Sequence, residues 1–208
     1  MRKAAVAGAA AGATLLGAAV IYYLQEKATP GPSYRVLTSD GELEVRLYGG
    51  MIVAETIVAG PRKDALNQGF HRLADYIFAK SREGEKLPMT APVLQDSGNP
   101  LATDPPLFDD MVEGQWRVRF VMPEGRSVDD LPEPPAEIEL VELGERRVGA
   151  VKFSGVADDD RLVAHEDKLR GWLSRQGERA AADPEYAFYN SPMIPPPLRR
   201  NEVLIPLG

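Results

Sequence analysis

Residues 42–58, Glu42-Leu43-Glu44-Val45-Arg46-Leu47-Tyr48-Gly49-Gly50-Met51-Ile52-Val53-Ala54-Glu55-Thr56-Ile57-Val58, decide the reading of the fold. Polar and apolar side chains alternate from Glu42 to Tyr48, the period of a strand with one wet face. Gly49-Gly50 then marks a turn into a second strand, Met51 to Val58. The two runs are expected to pair as a hairpin. Past Gly60-Pro61 the period changes: Leu66, Phe70, Leu73 and Ile77 recur at three- and four-residue steps and predict a helix from Arg62 to about Phe78. Strand-like runs follow at Leu87–Leu94 and Trp116–Met122. The Pro/Asp/Gly-rich stretch between them, Asp96–Gly114, reads as a long surface loop.

The same order recurs downstream: Glu137–Leu143, a turn, Arg147–Phe153, Gly155, a helix from about Asp159 to Arg175, then Tyr186–Asn190 and Glu202–Ile205 as strands. Each helix follows a glycine that closes a second strand. Each third strand ends near methionine and proline, at Pro88-Met89 with Pro92 and at Pro192-Met193 with Pro195. The expected fold is therefore α+β: two tandem strand-strand-helix-strand-strand repeats forming a distorted antiparallel β-barrel, closed or nearly closed, with two main helices outside.

Bulk composition removes several function classes. The chain has 208 residues, a formal net charge of -7 and no cysteine. An acidic balance opposes a nucleic-acid partner, which needs a basic face to displace counterions. Without thiols there are no disulfides, zinc fingers, iron–sulfur clusters or thiolate nucleophiles. At the N-terminus, Ala4 to Leu24 run uncharged for 21 positions after Met1-Arg2-Lys3, about the length that crosses a bilayer core. Its leucine, isoleucine and valine residues contribute only about -2 to -4 kcal/mol of insertion energy, because alanine and glycine fill the rest. A cleaved signal peptide shares this pattern, but the Ala-x-Ala sites fall early in the run and none follows Leu24. The expected division is a membrane anchor over 1–24, a Pro/Gly linker over 25–33 and one domain over 34–208. The charge bias puts that domain on the exported side.

Two histidines are available for chemistry. His71 turns away from the Leu66/Phe70/Leu73/Ile77 stripe and is expected in solvent, whereas His165 lies on the Trp172 side of the second helix and borders its apolar stripe. Asp158-Asp159-Asp160 reads as helix capping rather than a cation site, since nothing nearby supplies the spaced oxygens of a calcium loop. No nucleophile elbow, zinc-protease helix, P-loop or dinucleotide glycine fingerprint is present.

The block Lys86-Leu87-Pro88-Met89-Thr90-Ala91-Pro92-Val93 and the block Arg199-Arg200-Asn201-Glu202-Val203 together resemble the SOUL haem-binding family. Ala65-Leu66-Asn67 to Tyr76-Ile77, Trp116 to Pro123 and Tyr189-Asn190-Ser191-Pro192 resemble its first helix, its W-x-V-x-F-x-x-P strand and its Y-x-x-P segment, in that order. The resemblance implies non-enzymatic, non-covalent binding of haem or another porphyrin. It places the groove on the apolar side of the first helix and the segment before the last strand, here Leu66, Phe70, Leu73, Ala74, Ile77, Met193 and Ile194. Arg72 is the expected rim cation, and His165 the candidate axial ligand to iron. The function expected is a membrane-tethered haem carrier or buffer. The rival is a small-molecule sensing or protein-interaction module using the same groove without haem, and a hydrolase stands third.

Overall fold

The computed structural model describes residues 21–97 and 114–208. Among these, nine strands form one antiparallel sheet: β1 (Tyr34–Asp40), β2 (Leu43–Tyr48), β3 (Met51–Ala59), β4 (Val93–Asp96), β5 (Gln115–Val121), β6 (Glu139–Leu143), β7 (Arg146–Phe153), β8 (Glu185–Phe188) and β9 (Asn201–Pro206). Two long helices, α1 (Arg62–Ile77) and α2 (Asp159–Arg175), cover it. The strand order is β1-β2-β7-β9-β8-β4-β5-β3-β6.

This order corrects the hairpin reading of residues 42–58. β2 pairs with β1 and β7, while β3 pairs with β5 and β6. The physical reason is the strand β1, which the alternation rule passed over. Asp40-Gly41 closes the true hairpin, with Gly41 at φ 63° as a tight turn requires, and β1 occupies the edge of β2 that β3 was expected to take. Gly49-Gly50 is instead a corner.

Leu43 faces Val151 and Glu55 faces Glu139, so twelve residues forward on one arm match twelve residues back on the other. β2–β3 and β6–β7 are thus two arms of one bent ribbon held in a single register, with Gly49-Gly50 opposite Gly144-Glu145 at the bend. The sheet curls into a half-barrel whose end strands, β1 and β6, share no ladder. The closed barrel expected from the repeats is not formed, because the covalent corners, not hydrogen bonds, join the two ends of the strand order.

Other boundaries follow local chemistry. The strand expected over Leu87–Leu94 shrinks to β4, since Pro88 and Pro92 lack the N–H a ladder needs. Leu87 N donates instead to Ile77 O, and Thr90 Oγ1 to Val121 O at 2.5 Å. Most of the long loop, residues 98–113, lies outside the described residues, and Asp96 belongs to β4. Most of the expected anchor also lies outside the described residues: residues 1–20 are not described and 21–27 are helical. Among the described residues no helix is long and apolar enough to cross a membrane. The stretch read as a linker makes contacts of its own, with Pro30 O accepting from Ala91 N and Ser33 N donating to Glu124.

α1 packs on β3 and β5, and α2 on β7 and β9. The buried face of α1 is centred on Ala65, Gly69, Leu73 and Tyr76, about a fifth of a turn from the predicted stripe. Gly69 is the cause. A Cβ there would sit 2.6 Å from Val118 Cγ2, so the helix meets β5 backbone-close, and Leu66 and Phe70 are displaced to one flank. α2 matches its expected bounds, and the Asp158 side chain accepts from Arg161 N at 3.0 Å as its cap. Leu162, Leu169, Trp172 and Leu173 then seal Val151, Phe153, Val203 and Ile205. Each such fully buried side chain stabilises by about 1.5–3 kcal/mol.

Candidate functional site

The structure divides the nine residues expected to hold haem. Leu73, Ala74 and Ile77 are buried with Val118, Phe120 and Met122, so they form core rather than surface. Leu66 and Phe70 are half-buried against that cluster, and the Phe70 ring lies edge-on to Phe120 at 5.4 Å. Arg72 is exposed but projects roughly 160° around the helix from Phe70, and reaches Thr56 Oγ1 and Ile57 O over 3.5 and 3.4 Å. It is therefore not on the Leu66/Phe70 flank.

Met193 and Ile194 lie in the β8–β9 loop, the first 80% exposed and the second 2%. His165 sits on α2, its ring stacked on Phe153 at 4.0 Å rather than beside Trp172, with Nδ1 2.6 Å from Arg161 O.

On the α1 flank itself the structure adds two residues that the stripe did not single out. Lys63 is one turn before Leu66, exposed, with Nζ 3.9 Å from Asp159. His71, exposed as expected, meets Phe70 edge-on at 5.9 Å. The sequence signal was a Lys63–Leu66–Phe70 spacing, which becomes meaningful only once Gly69 is known to centre the buried face. Next to it, Arg62 reaches across to Asp159 and Gln95, tying the N-termini of the two helices together.

The concave side of the half-barrel holds a second, unexpected set. The polar residues of β2, expected on a wet face, point inward. Arg46 is fully buried and donates to Glu202 at 2.6 and 3.2 Å and to Tyr48 Oη at 3.0 Å. Arg200 adds a second guanidinium to Glu202 and lies over the Tyr189 ring at 3.9 Å, while Tyr189 Oη donates to the same carboxylate.

Towards the other end of β8, Glu185 accepts from Arg146 and pairs with Arg119, which also meets Asp96 at 2.5 Å. Burial would raise the Glu185 carboxyl, but Arg119 and Arg146 outweigh it and hold it at about 2. The Glu202 carboxyl is likewise held low by Arg46 and Arg200 against burial, and burial pushes the Tyr48 hydroxyl up to about 12.

Every carboxylate named here meets a guanidinium, and none adjoins a hydroxyl nucleophile with an imidazole base. The arrangement fixes geometry. Among the described residues no three His, Cys, Asp or Glu side chains gather as a metal site.

Two cavities open at the ribbon's edges. One, about 710 Å³, lies at the bend and is lined by Gly49, Gly50, Met51, Met122, Leu143 and Arg126. The other, about 350 Å³, lies at the mouth beside Tyr23, Tyr34, Ala91, Tyr189, Asn190 and Arg200. Both fall in the size range of small-molecule sites. Neither of these two is lined by α1.

The two motif blocks prove to be fasteners of this architecture. Thr90 ties the 87–92 segment to β5, and Arg199 donates to Ile194 O and Pro192 O at 2.7 Å each. Asn201 donates to Gly155 O, and Glu202 anchors the interior. Fold and site define an α+β half-barrel with half-exposed apolar side chains on α1 and paired charges buried in its interior.

The family model described as SOUL heme-binding protein matches residues 29–206, and the chain belongs to that family. No curated protein matches it. Among solved structures, it is similar in fold to the EcmrR C-terminal domain, at 12% identity and TM-score 0.56, covering 84% of this chain and 98% of that one. It is similar also to a hydrolase from Listeria innocua, at 12% identity and TM-score 0.55, covering 83% and 94%. An uncharacterized conserved protein from Listeria innocua gives 13% identity and TM-score 0.57, covering 80% and 92%.

Proposed function

We propose that the domain binds haem or a related tetrapyrrole non-covalently and without catalysis, as a carrier or buffer tethered through residues 4–24 on the exported side of a membrane. Membership of the SOUL family supports the ligand class. The observation that carries the site is the displaced flank of α1, where Leu66 and Phe70 stay half-exposed because Gly69 takes the sheet contact. An apolar macrocycle fits that flank. The exposed Lys63 suits a propionate better than Arg72, and His71 borders the flank while His165 lies on the other helix with one ring nitrogen beside its own backbone. When bound, haem supplies an iron centre and a strong absorption band. The protein's part is to exclude water from one face of the ring.

Hemin titration tests this reading. A Soret shift and a rise in melting temperature are expected, both lost in Phe70→Asp, because a ligand that binds only the native state must stabilise it. His71→Ala is expected to change the spectrum and His165→Ala to leave it unaltered. No shift and no stabilisation at saturating hemin would sink the proposal. In that case the cleft at the bend, lined by Met51, Met122 and Leu143, favours the sensing or interaction module that takes amphiphiles without haem. Purified domain is expected to turn over no chromogenic ester, although two similar solved structures are described as hydrolases. Fractionation and the mass of the mature N-terminus test the tether.

A further inference from the structure

The loop from Ser191 to Leu198 is apolar, exposed and rigid at once. Pro192, Met193, Pro195, Pro196, Pro197 and Leu198 are all exposed, with Met193 at 80% and Leu198 at 50%. Ile194, buried to 2%, roots the loop, and its carbonyls are taken by Arg199 on Ile194 and Pro192 and by Gly155 N on Pro196. An apolar surface so firmly held does not collapse inward. Four of its residues are prolines, which have no N–H to lose water when the loop is covered by lipid.

What lies beside this loop identifies the cover. The helical stretch 21–27 docks on it: Tyr22 Oη lies 3.0 Å from Ser191 Oγ, and the Glu26 carboxylate accepts from Ser191 N at 3.0 Å and Asn190 Nδ2 at 3.4 Å. Residues 4–20, immediately before it, carry no charge. Ile21 and Leu24 are 59% and 55% exposed, continuing the apolar run to the docking point. The exposed Lys27 lines the cleft beside Leu198, as a cation would near anionic headgroups.

The geometry points to the 191–198 loop as a second membrane contact, lying shallowly in the bilayer surface beside the tether, so that the mouth lined by Tyr34, Tyr189 and Arg200 opens at the lipid face. The inference rests on the tether reading. It adds an orientation, with the cleft beside Tyr34, Tyr189 and Arg200 facing lipid.

The chain has no cysteine, so single thiols report position cleanly. Full-length Met193→Cys, Leu198→Cys, Ile21→Cys and, as a control on the exposed side of α2, Asp167→Cys are labelled with an environment-sensitive fluorophore. Each is reconstituted in phosphatidylcholine/phosphatidylglycerol vesicles carrying nitroxide-labelled lipid. Positions 193 and 198 are expected to be blue-shifted and quenched several-fold more than 167. If 21 is quenched while 193 and 198 behave like 167, the tether stands and the loop contact falls. If none is quenched, tether and contact fall together. A blue shift at 193 and 198 without lipid quenching identifies a protein surface and overturns the bilayer as occupant.

Discussion

Arg46 shows how much of this protein's order rests on single charges. Its guanidinium is fully buried and meets Glu202, Glu44 and Tyr48. Removing one partner of such a pair leaves the other charge stranded, so Arg46→Met should destabilise by about 3–5 kcal/mol in urea unfolding. Replacing both members, Arg46→Met with Glu202→Leu, should recover part of that loss. Acid should act through the same chemistry. Glu185 is held at about 2, below its ordinary 4.5, so its contribution is fully present above pH 4.5 and is lost as pH falls toward 2. On that shift the group contributes up to about 3 kcal/mol at neutral pH. The urea midpoint should stay level from pH 7 to 5 and fall below 4.5, and Glu185→Gln should flatten that fall. An unchanged slope in the variant would reject this assignment. The buried charges were invisible in the sequence because Glu44-Val45-Arg46 alternates as a solvent-facing strand does. Alternation reports two faces, not which one meets water. The Asp158 cap was legible because capping is local.

At the scale of elements, helices and strands were read within a few residues wherever their own period sufficed, as α2 and β5 show. Partners were not. Gly49-Gly50 carries a turn signal, but whether a turn joins neighbours or marks a corner depends on strands far along the chain. The flank of α1 was misjudged for a related reason: hydropathy ranks Phe70 above Gly69, whereas close packing on Val118 prefers the glycine. Gly69→Ala should therefore cost about 1–3 kcal/mol, since a stiff valine must yield. Gly149→Ala should cost less, because its neighbours are the ends of the Leu173 side chain, 2.7 Å from a new Cβ. Paired thermal melts would show the reverse order if the helices are free to shift.

For the whole molecule, the family was legible from two short blocks, whose Thr90, Arg199, Asn201 and Glu202 turn out to fasten the fold. Of the surface proposed for the ligand, Leu66 and Phe70 were named in the sequence, Lys63 was not, and His71 was set aside. The bent ribbon carries one further consequence, for how the chain reaches its structure. Its two arms meet only across a long separation, Leu43–Tyr48 on Arg146–Val151 and Met51–Glu55 on Glu139–Leu143, beside the local β1–β2 hairpin and the β3–β5 ladder. A chain emerging from its N-terminus therefore closes the β1–β2 hairpin early but leaves the other edge of β2 open until β7 has followed. Such long sequence separations imply folding in milliseconds to seconds rather than microseconds. A fragment ending at Val121 should show no cooperative melt and should aggregate through its open edges, whereas adding residues through Gly208 restores a single transition. That outcome would make the two repeats one folding unit.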